Sequence, residues 1–259
     1  RSEISGKIYS LCEFSHKVYG EGFYNFNIAV KRLSGSEDII PITVSERLFD
    51  EVKEIWDSYN THPFVKGIAD GSLPVEKFRF YMIQDHLYLM EYAKLFALGI
   101  IKSHTESDLR MFASLVTATI DTENAVHQEY LKTLGITREM IDESKLSFVN
   151  ESYTNYMLSV GFKDGLAEIA TAVLSCSWSY KYIGEYVKAH GNLKNNPYID
   201  WINEYSSKEY SDANDEIINF IDRITKDFSE TQIEYLCEIM LNCSRYEALF
   251  WDMAFNLEY

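Results

Sequence analysis

The chain has 259 residues, with 24 Lys and Arg against 40 Asp and Glu, a formal charge of −16 at pH 7. So negative a chain repels phosphate backbones and anionic lipid, and neither nucleic acid nor a membrane is expected as a partner. At 46% hydrophobic and 15% aromatic it is too apolar for disorder, and its length suits one domain of about 200 residues with a small addition.

Residues 1–43 form a distinct arm. Ile8, Ser10, Cys12 and Phe14 alternate before Gly20 and Gly22, and Tyr24, Phe26, Ile28 and Val30 alternate after them, a hairpin pattern. The arm holds five basic and five acidic residues, so the whole −16 falls on residues 44–259. The polar stretch Ser34-Gly35-Ser36-Glu37-Asp38 leads into the second part. The expected organisation is an N-terminal extension over 1–43, of unassigned role, and a helical domain over 44–259.

Between Pro74 and Pro197 nothing forbids a helical backbone, and apolar residues such as Phe78, Met82, Leu89 and Phe96 recur at helical spacing. Helices are predicted over 45–60, 75–104, 107–133, 138–159, 164–190, 197–206, 210–227 and 229–257. Ser107 and the Ser229-x-x-Gln232 pair read as caps, and Pro74 suits a first helical turn. The fold class expected is all-α, a multi-helix bundle.

No apolar run reaches the roughly 18–20 residues that a membrane-spanning helix needs, and no leader pattern opens the chain, which begins at Arg1 as a processed or truncated start would. Cys12, Cys176, Cys237 and Cys243 show no CxxC pairing. Reduced thiols and a cytoplasmic location are the expectation.

Three segments hold candidate chemistry. Phe80-Tyr81-Met82-Ile83-Gln84-Asp85-His86-Leu87-Tyr88 sets a carboxylate inside an aromatic helix, where Asp is a poor residue, and places Asp85 and Tyr88 on one face. The structural alternative is that Asp85 points to solvent. Ser175-Cys176-Ser177-Trp178-Ser179-Tyr180 stacks a thiol and a phenol at i and i+4, either as a nucleophile with a hydrogen-bonding neighbour or as a small buried hydrophobe. Glu247 lies within Arg245-Tyr246-Glu247-Ala248-Leu249-Phe250-Trp251-Asp252, where desolvation would raise its pKa towards acid–base use, or where a salt bridge would neutralise it.

Other readings are weaker. Tyr153-Thr154-Asn155-Tyr156 and Trp201-Ile202-Asn203-Glu204-Tyr205 are tyrosine motifs among 19 tyrosines, most of which must be ordinary packing residues. Glu123 and His127, with Asp85-His86 on a preceding helix, suggest a carboxylate-bridged di-iron site, but the Glu-x-x-His pairs of such bundles are missing. GxGxxG, GxxxxGK[ST] and GxSxG are absent too, so neither metal nor other cofactor is expected.

Taken together and in order, Val44-Ser45-Glu46-Arg47-Leu48, the Asp85 segment, the Cys176 segment and Phe250-Trp251-Asp252-Met253-Ala254 resemble the TenA family, known as thiaminase II or aminopyrimidine aminohydrolase. The resemblance covers residues 44–259 and implies a haem-oxygenase-like all-α fold without haem, a homotetramer, and hydrolysis of thiamin-derived aminopyrimidines for salvage. It implies that Cys176 is the nucleophile, with Tyr180 and Tyr205 holding the thiol and the attacking water, and Glu247 serving a ring nitrogen. Asp85, Tyr88 and Tyr153 would bind the pyrimidine, Tyr153 rather than Tyr156 being the stacking tyrosine. A cysteine at 176 points to the branch that converts 4-amino-5-aminomethyl-2-methylpyrimidine to the hydroxymethyl compound and ammonia, with thiamin a slower substrate. The alternatives are a non-catalytic pyrimidine binder or regulator on the same fold, and a di-iron oxygenase of the related fold.

Overall fold

A computed structural model describes residues 42–259, apart from the side chains of 122–132. The hairpin pattern and Cys12 lie outside the described residues, as do the side chains of Glu123 and His127. The chain divides into two compact units, Arg1–Arg47 and Leu48–Tyr259.

Among the described residues every regular element is an α-helix. In chain order these are α1 (Val44–Tyr59), α2 (Pro63–Asp70), α3 (Val75–Lys102), α4 (Glu106–Thr133), α5 (Arg138–Glu143), α6 (Phe148–Lys163), α7 (Leu166–His190), α8 (Ile199–Tyr205), α9 (Lys208–Ile224) and α10 (Glu230–Asn256). The long helices follow the predicted periodicity, with three differences.

The sequence reading has no counterpart of α2. Its signals are local: Pro63 takes the first turn, His62 Nδ1 accepts from Phe64 N at 3.1 Å, and Gly71 ends the helix at φ 79°. That is the asymmetry of proline at the start and glycine in the left-handed conformation past the end. The helix predicted over 138–159 is two helices, α5 and α6. No Gly or Pro marks the break; Ser147 restarts the chain by accepting from Asn150 N at 3.1 Å, while Gln84 of α3 takes the linker's polar groups. Its Nε2 donates to Lys145 O and its Oε1 accepts from Ser147 N, both at 2.9 Å. Finally, α4 is capped by Thr105, whose Oγ1 accepts from Asp108 N at 3.1 Å, rather than by Ser107. At the start of α10 Gln232 Oε1 does accept from Ser229 N, at 3.0 Å, as the capping-box spacing predicts.

Helix α7 is the axis of the bundle, packing against α2, α3, α6, α8, α9 and α10. Its sequence explains this. Ala167, Ala170, Ala172, Ser175, Ser179 and Gly184 are all buried, so apolar or small residues occur around the whole helix rather than on one stripe. At Gly184 a Cβ would meet the backbone carbonyl of Tyr205 at 2.7 Å. Glycine at 184 therefore lets α8 lie directly on α7. By contrast α9 is amphipathic, burying Asn214, Ile217, Phe220 and Ile221 and leaving charged residues outside.

Candidate active site

A cavity of about 290 Å3 opens between α3, α4, α7, α8 and α9. Its closed end is lined by Asp85 and Tyr88 from α3 and by Cys176 and Tyr180 from α7, with Tyr205 of α8 completing the aromatic wall. Helical spacing explains the convergence: i, i+3 on α3 and i, i+4 on α7 each bring two functional groups to one face. Asp85 is 6% exposed, against the alternative in which it points to solvent. Cys176 is partly open to the cavity, whereas Cys237 and Cys243 are buried in the core.

Glu247 of α10 is 2% exposed and stands behind the open lining. Burial pushes its pKa from 4.5 up to about 8, the negative charge of Asp85 adds to the shift, and the Tyr153 and Tyr180 hydroxyls oppose it. At neutral pH this carboxyl is therefore mostly protonated, so desolvation and not a salt bridge sets its state. The Cys176 thiol is pushed well above its ordinary value, first by burial and next by the charge of Glu247, while the Tyr88 hydroxyl opposes the shift. The thiol thus rests protonated and needs a base at the moment of attack.

The tyrosines divide the work in a way that spacing does not reveal. The Tyr88 hydroxyl, which donates to Met157 Sδ at 3.6 Å, also favours the thiolate of Cys176. Tyr180, four residues from the cysteine, instead faces Glu247 and accepts from the Tyr81 hydroxyl at 3.2 Å. Tyr153 is fully buried, its ring 5.3 Å from Tyr88 and stacked on Tyr246 at 5.5 Å and 11°. Its buried hydroxyl favours the ionised form of Glu247. Tyr156 lies further out, accepting from Asn242 Nδ2 at 3.2 Å. Of the two tyrosines, then, Tyr153 stands beside Tyr88 and Glu247.

Long-range hydrogen bonds fix these groups. Next to Asp85, Gln84 also accepts from Asn150 Nδ2, through its backbone O at 2.8 Å and its Oε1 at 3.0 Å, tying α3 to α6 and hence to Tyr153. Beside Cys176, the Ser175 and Ser244 hydroxyls pair at 3.1 Å, and Trp56 Nε1 donates to Ser244 Oγ at 3.0 Å. The Tyr59 hydroxyl also donates to Ser244 O. Ser244 lies three residues before Glu247, so this buried cluster sets the nucleophile and the carboxyl against each other. Trp201 Nε1 donates to the Tyr81 hydroxyl at 3.2 Å, joining α8 to the same frame. These supports were not singled out from sequence, because nothing in local spacing distinguishes Gln84, Ser175 or Ser244 from other polar residues on buried helices.

The mouth of the cavity, its more exposed side, is made differently, by Glu204 at the end of α8 and by Glu209 and Tyr210 of α9, with the buried Asn214 also in the lining. A run of rings leads to it: Tyr180 to Tyr205 at 4.8 Å, and Tyr205 to Tyr210 at 5.1 Å. None of the mouth's polar residues was a sequence candidate. Asn214, a polar residue within the apolar stripe of α9, was the available signal. No helix among the described residues is long and apolar enough to cross a membrane. Nor is any group of three or more His, Cys, Asp or Glu side chains among them placed to hold a metal ion.

Fold and helix arrangement together define an all-α protein of the haem-oxygenase-like class with an aromatic-walled cavity. A domain of unknown function with a heme oxygenase-like fold from Shewanella denitrificans matches at TM-score 0.66 and 18% identity, covering 82% of this chain and 91% of its own. That likeness concerns the fold alone. Residues 49–257 match the TENA/THI-4/PQQC family model, and the chain belongs to that family. An aminopyrimidine aminohydrolase from Helicobacter pylori is 43% identical over 214 residues, 82% of this chain and 99% of the relative. The solved TenA homologue from P. horikoshii OT3 superposes at TM-score 0.77 with 30% identity, covering 83% of this chain and 99% of that one.

Proposed function

We propose that the protein is an aminopyrimidine aminohydrolase of thiamin salvage, converting 4-amino-5-aminomethyl-2-methylpyrimidine and water to the hydroxymethyl pyrimidine and ammonia. The observation that carries this reading is a thiol, Cys176, in the lining of an aromatic cavity that also presents Asp85, with the protonated carboxyl of Glu247 buried behind that lining. A flat heterocycle with donors and acceptors at its rim suits such a site.

In the reaction, Asp85 accepts from the 4-amino group while Tyr88 and Tyr153 hold the ring. The Cys176 sulfur bonds to the ring carbon next to N1, and Glu247 delivers a proton to that nitrogen, taking up the thiol proton in exchange. The ring electrons then expel the amine from the exocyclic methylene, and the amine leaves with a proton as ammonia. Water positioned by Tyr180 and Tyr205 adds to the methylene, its second proton passing to the released ammonia, and the sulfur departs as the thiol, taking a proton from Glu247 as N1 returns its own to that carboxyl, which restores the aromatic ring. Orientation within the rigid aromatic frame lowers the barrier of each step. Slower cleavage of thiamin itself, cytoplasmic residence and assembly as a homotetramer belong to the same proposal. Ile101, Phe148 and Phe162, at 76%, 76% and 70% exposure, supply apolar surface for assembly.

The test is incubation with the aminomethyl pyrimidine, following ammonia enzymatically and the pyrimidine by mass spectrometry. Stoichiometric ammonia and hydroxymethyl pyrimidine are expected. Tight calorimetric binding without ammonia would replace the enzyme by the non-catalytic binder.

A further inference from the structure

A line of donors runs through the core behind the closed end, and elementary chemistry fixes its direction. Trp201 Nε1 of α8 donates to the Tyr81 hydroxyl of α3 at 3.2 Å, and the Tyr81 hydroxyl donates to that of Tyr180 on α7, also at 3.2 Å. An indole N–H can only donate, so the Tyr81 oxygen accepts and its one proton goes to Tyr180. Tyr180 cannot return that bond. Its own proton serves the next acceptor, the carboxyl of Glu247 on α10, whose ionised form this hydroxyl favours. Tyr81 and Trp201, at 0% and 2% exposure, are out of reach of bulk water. Packing holds the line in place: Trp251, one turn after Glu247, stacks on Tyr81 at 5.9 Å and 19° and meets the ring of Tyr180 at 5.2 Å, while Phe64 and Phe78 pack on Tyr81 at 5.2 and 5.7 Å. Tyr81 is not among the residues that line the cavity, so it has no direct contact to offer a bound ring.

We propose that Tyr81 is a positioning residue of the reaction: held by Trp201, it turns the Tyr180 hydroxyl towards Glu247, so that this carboxyl can bear negative charge between giving a proton to the ring nitrogen and regaining one. This rests on the aminohydrolase reading and adds to it a residue outside the cavity. Burial and the charge of Asp85 both oppose the Glu247 anion. The other titratable groups around it are Tyr59 of α1, Tyr88 and Tyr92 of α3, Tyr153 of α6, Cys176 of α7 and Cys243 one turn back on α10, while α2 turns the ring of Phe64 to Trp251. None of these is a cation, so the anion depends on hydroxyl donors. Hydrogen bonds in series polarise one another, and a donor two groups away strengthens the bond that reaches the carboxylate. With one lone pair of its oxygen taken by Tyr81, Tyr180 keeps the other for the attacking water.

The experiment is a double-variant cycle of Tyr81→Phe and Tyr180→Phe, each of which removes one oxygen and keeps the ring. Ammonia release and calorimetric Kd are measured with the aminomethyl pyrimidine. Tyr81→Phe is expected to lower kcat by about fivefold with Kd within about twofold of wild type, the scale of weakening one charge-assisted bond in a chain. Added to Tyr180→Phe it should cost less than about twofold more, because its effect passes through that hydroxyl. A merely structural role would multiply the two losses, and that result would overturn the proposal. Thermal melts give a second reading that needs no turnover. Without the Tyr81 hydroxyl the folded carboxyl ionises at higher pH, so the stability gap between wild type and Tyr81→Phe should widen from about pH 7 to pH 9 and stay constant in a Glu247→Gln background. Trp201→Phe, which removes the first donor and leaves both phenols, should show the same pattern at smaller size and serves where Tyr81→Phe does not fold. A gap that fails to widen would overturn the line of donors. If wild type releases no ammonia, the aminohydrolase reading fails, and the melts still decide for or against the role of Tyr81.

Discussion

The two ends of the cavity are held by different kinds of bond. At the closed end, Gln84 joins residues more than 60 positions apart, Trp56 reaches Ser244 across 188, and Trp201 reaches Tyr81 across 120. At the mouth, the bonds are local: Ser207 caps its own helix by accepting from Tyr210 N, and Asn214 donates one turn back. Long-range bonds make the position of Asp85, Cys176 and Glu247 a property of the whole bundle, so disturbing one disturbs folding. Local bonds leave the mouth free to change without cost to the core. In the proposed reaction the chemistry thus falls where the fold is most determined.

The sharpest way to break this contrast is at Glu247. Its carboxyl stays neutral in the folded chain up to about pH 8 but ionises in the unfolded chain above 4.5. The unfolded state therefore binds fewer protons between those values, and stability falls as pH rises through that window. Glu247→Gln, which fixes the neutral form, is expected to reduce ammonia release by at least about 10²-fold. The same variant should melt higher than wild type above pH 8, by on the order of a few kcal/mol in stability, and at the same temperature near pH 4. Thermal melts across pH check this; a variant less stable than wild type at high pH would show that the carboxyl is not held neutral.

Gln84→Ala comes next, because it orphans Lys145 O and Ser147 N together and leaves Asn150 Nδ2 only the backbone O of residue 84. Each buried group left unpaired costs about 1–3 kcal/mol, so denaturant titration should show one of the larger losses of any single polar truncation. KM for the pyrimidine should rise as Asp85 and Tyr153 lose their registry. Gly184→Ala puts a methyl group 2.7 Å from the Tyr205 carbonyl. Overpacking of this kind costs about 1–3 kcal/mol, and the displacement of α8 should lower kcat more than it raises KM. The smallest effect belongs to Arg138→Ala, which removes an exposed pair with Asp142 at 3.1 Å. Such pairs contribute about 0–1 kcal/mol, and turnover should stay at the wild-type level.

The closed end was legible in the sequence because its residues are out of place by type. An Asp within an aromatic helix, a Cys one turn from a Tyr, and a Glu among Phe, Trp and Leu each violate what a plain core helix would contain. Helical periodicity then put Asp85 with Tyr88 and Cys176 with Tyr180 on shared faces. What periodicity could not show is which hydroxyl faces which group. That depends on how α3, α6, α7 and α10 pack, and it brings Tyr88 rather than Tyr180 to bear on the thiol. The break between α5 and α6 was hidden for a related reason, since its polar groups are satisfied from a distant helix by Gln84. Short α2 was missed although Pro63 and Gly71 mark its ends, because eight residues supply little periodicity. The mouth gave the weakest signal, as Glu204 and Glu209 resemble any charged residues on a solvated face until the cavity between them is seen.

The central claim is that Cys176 forms the bond that makes hydrolysis possible, while the rest of the closed end orients the ring. Its most direct test is Cys176→Ser, which changes one atom in the frame. Ammonia release and calorimetric binding of the aminomethyl pyrimidine are measured on the same preparation. The expected result is a Kd within about twofold of wild type with ammonia release slowed at least about 10²-fold, the scale of losing a catalytic group. Near-normal ammonia release from the serine variant would contradict the account.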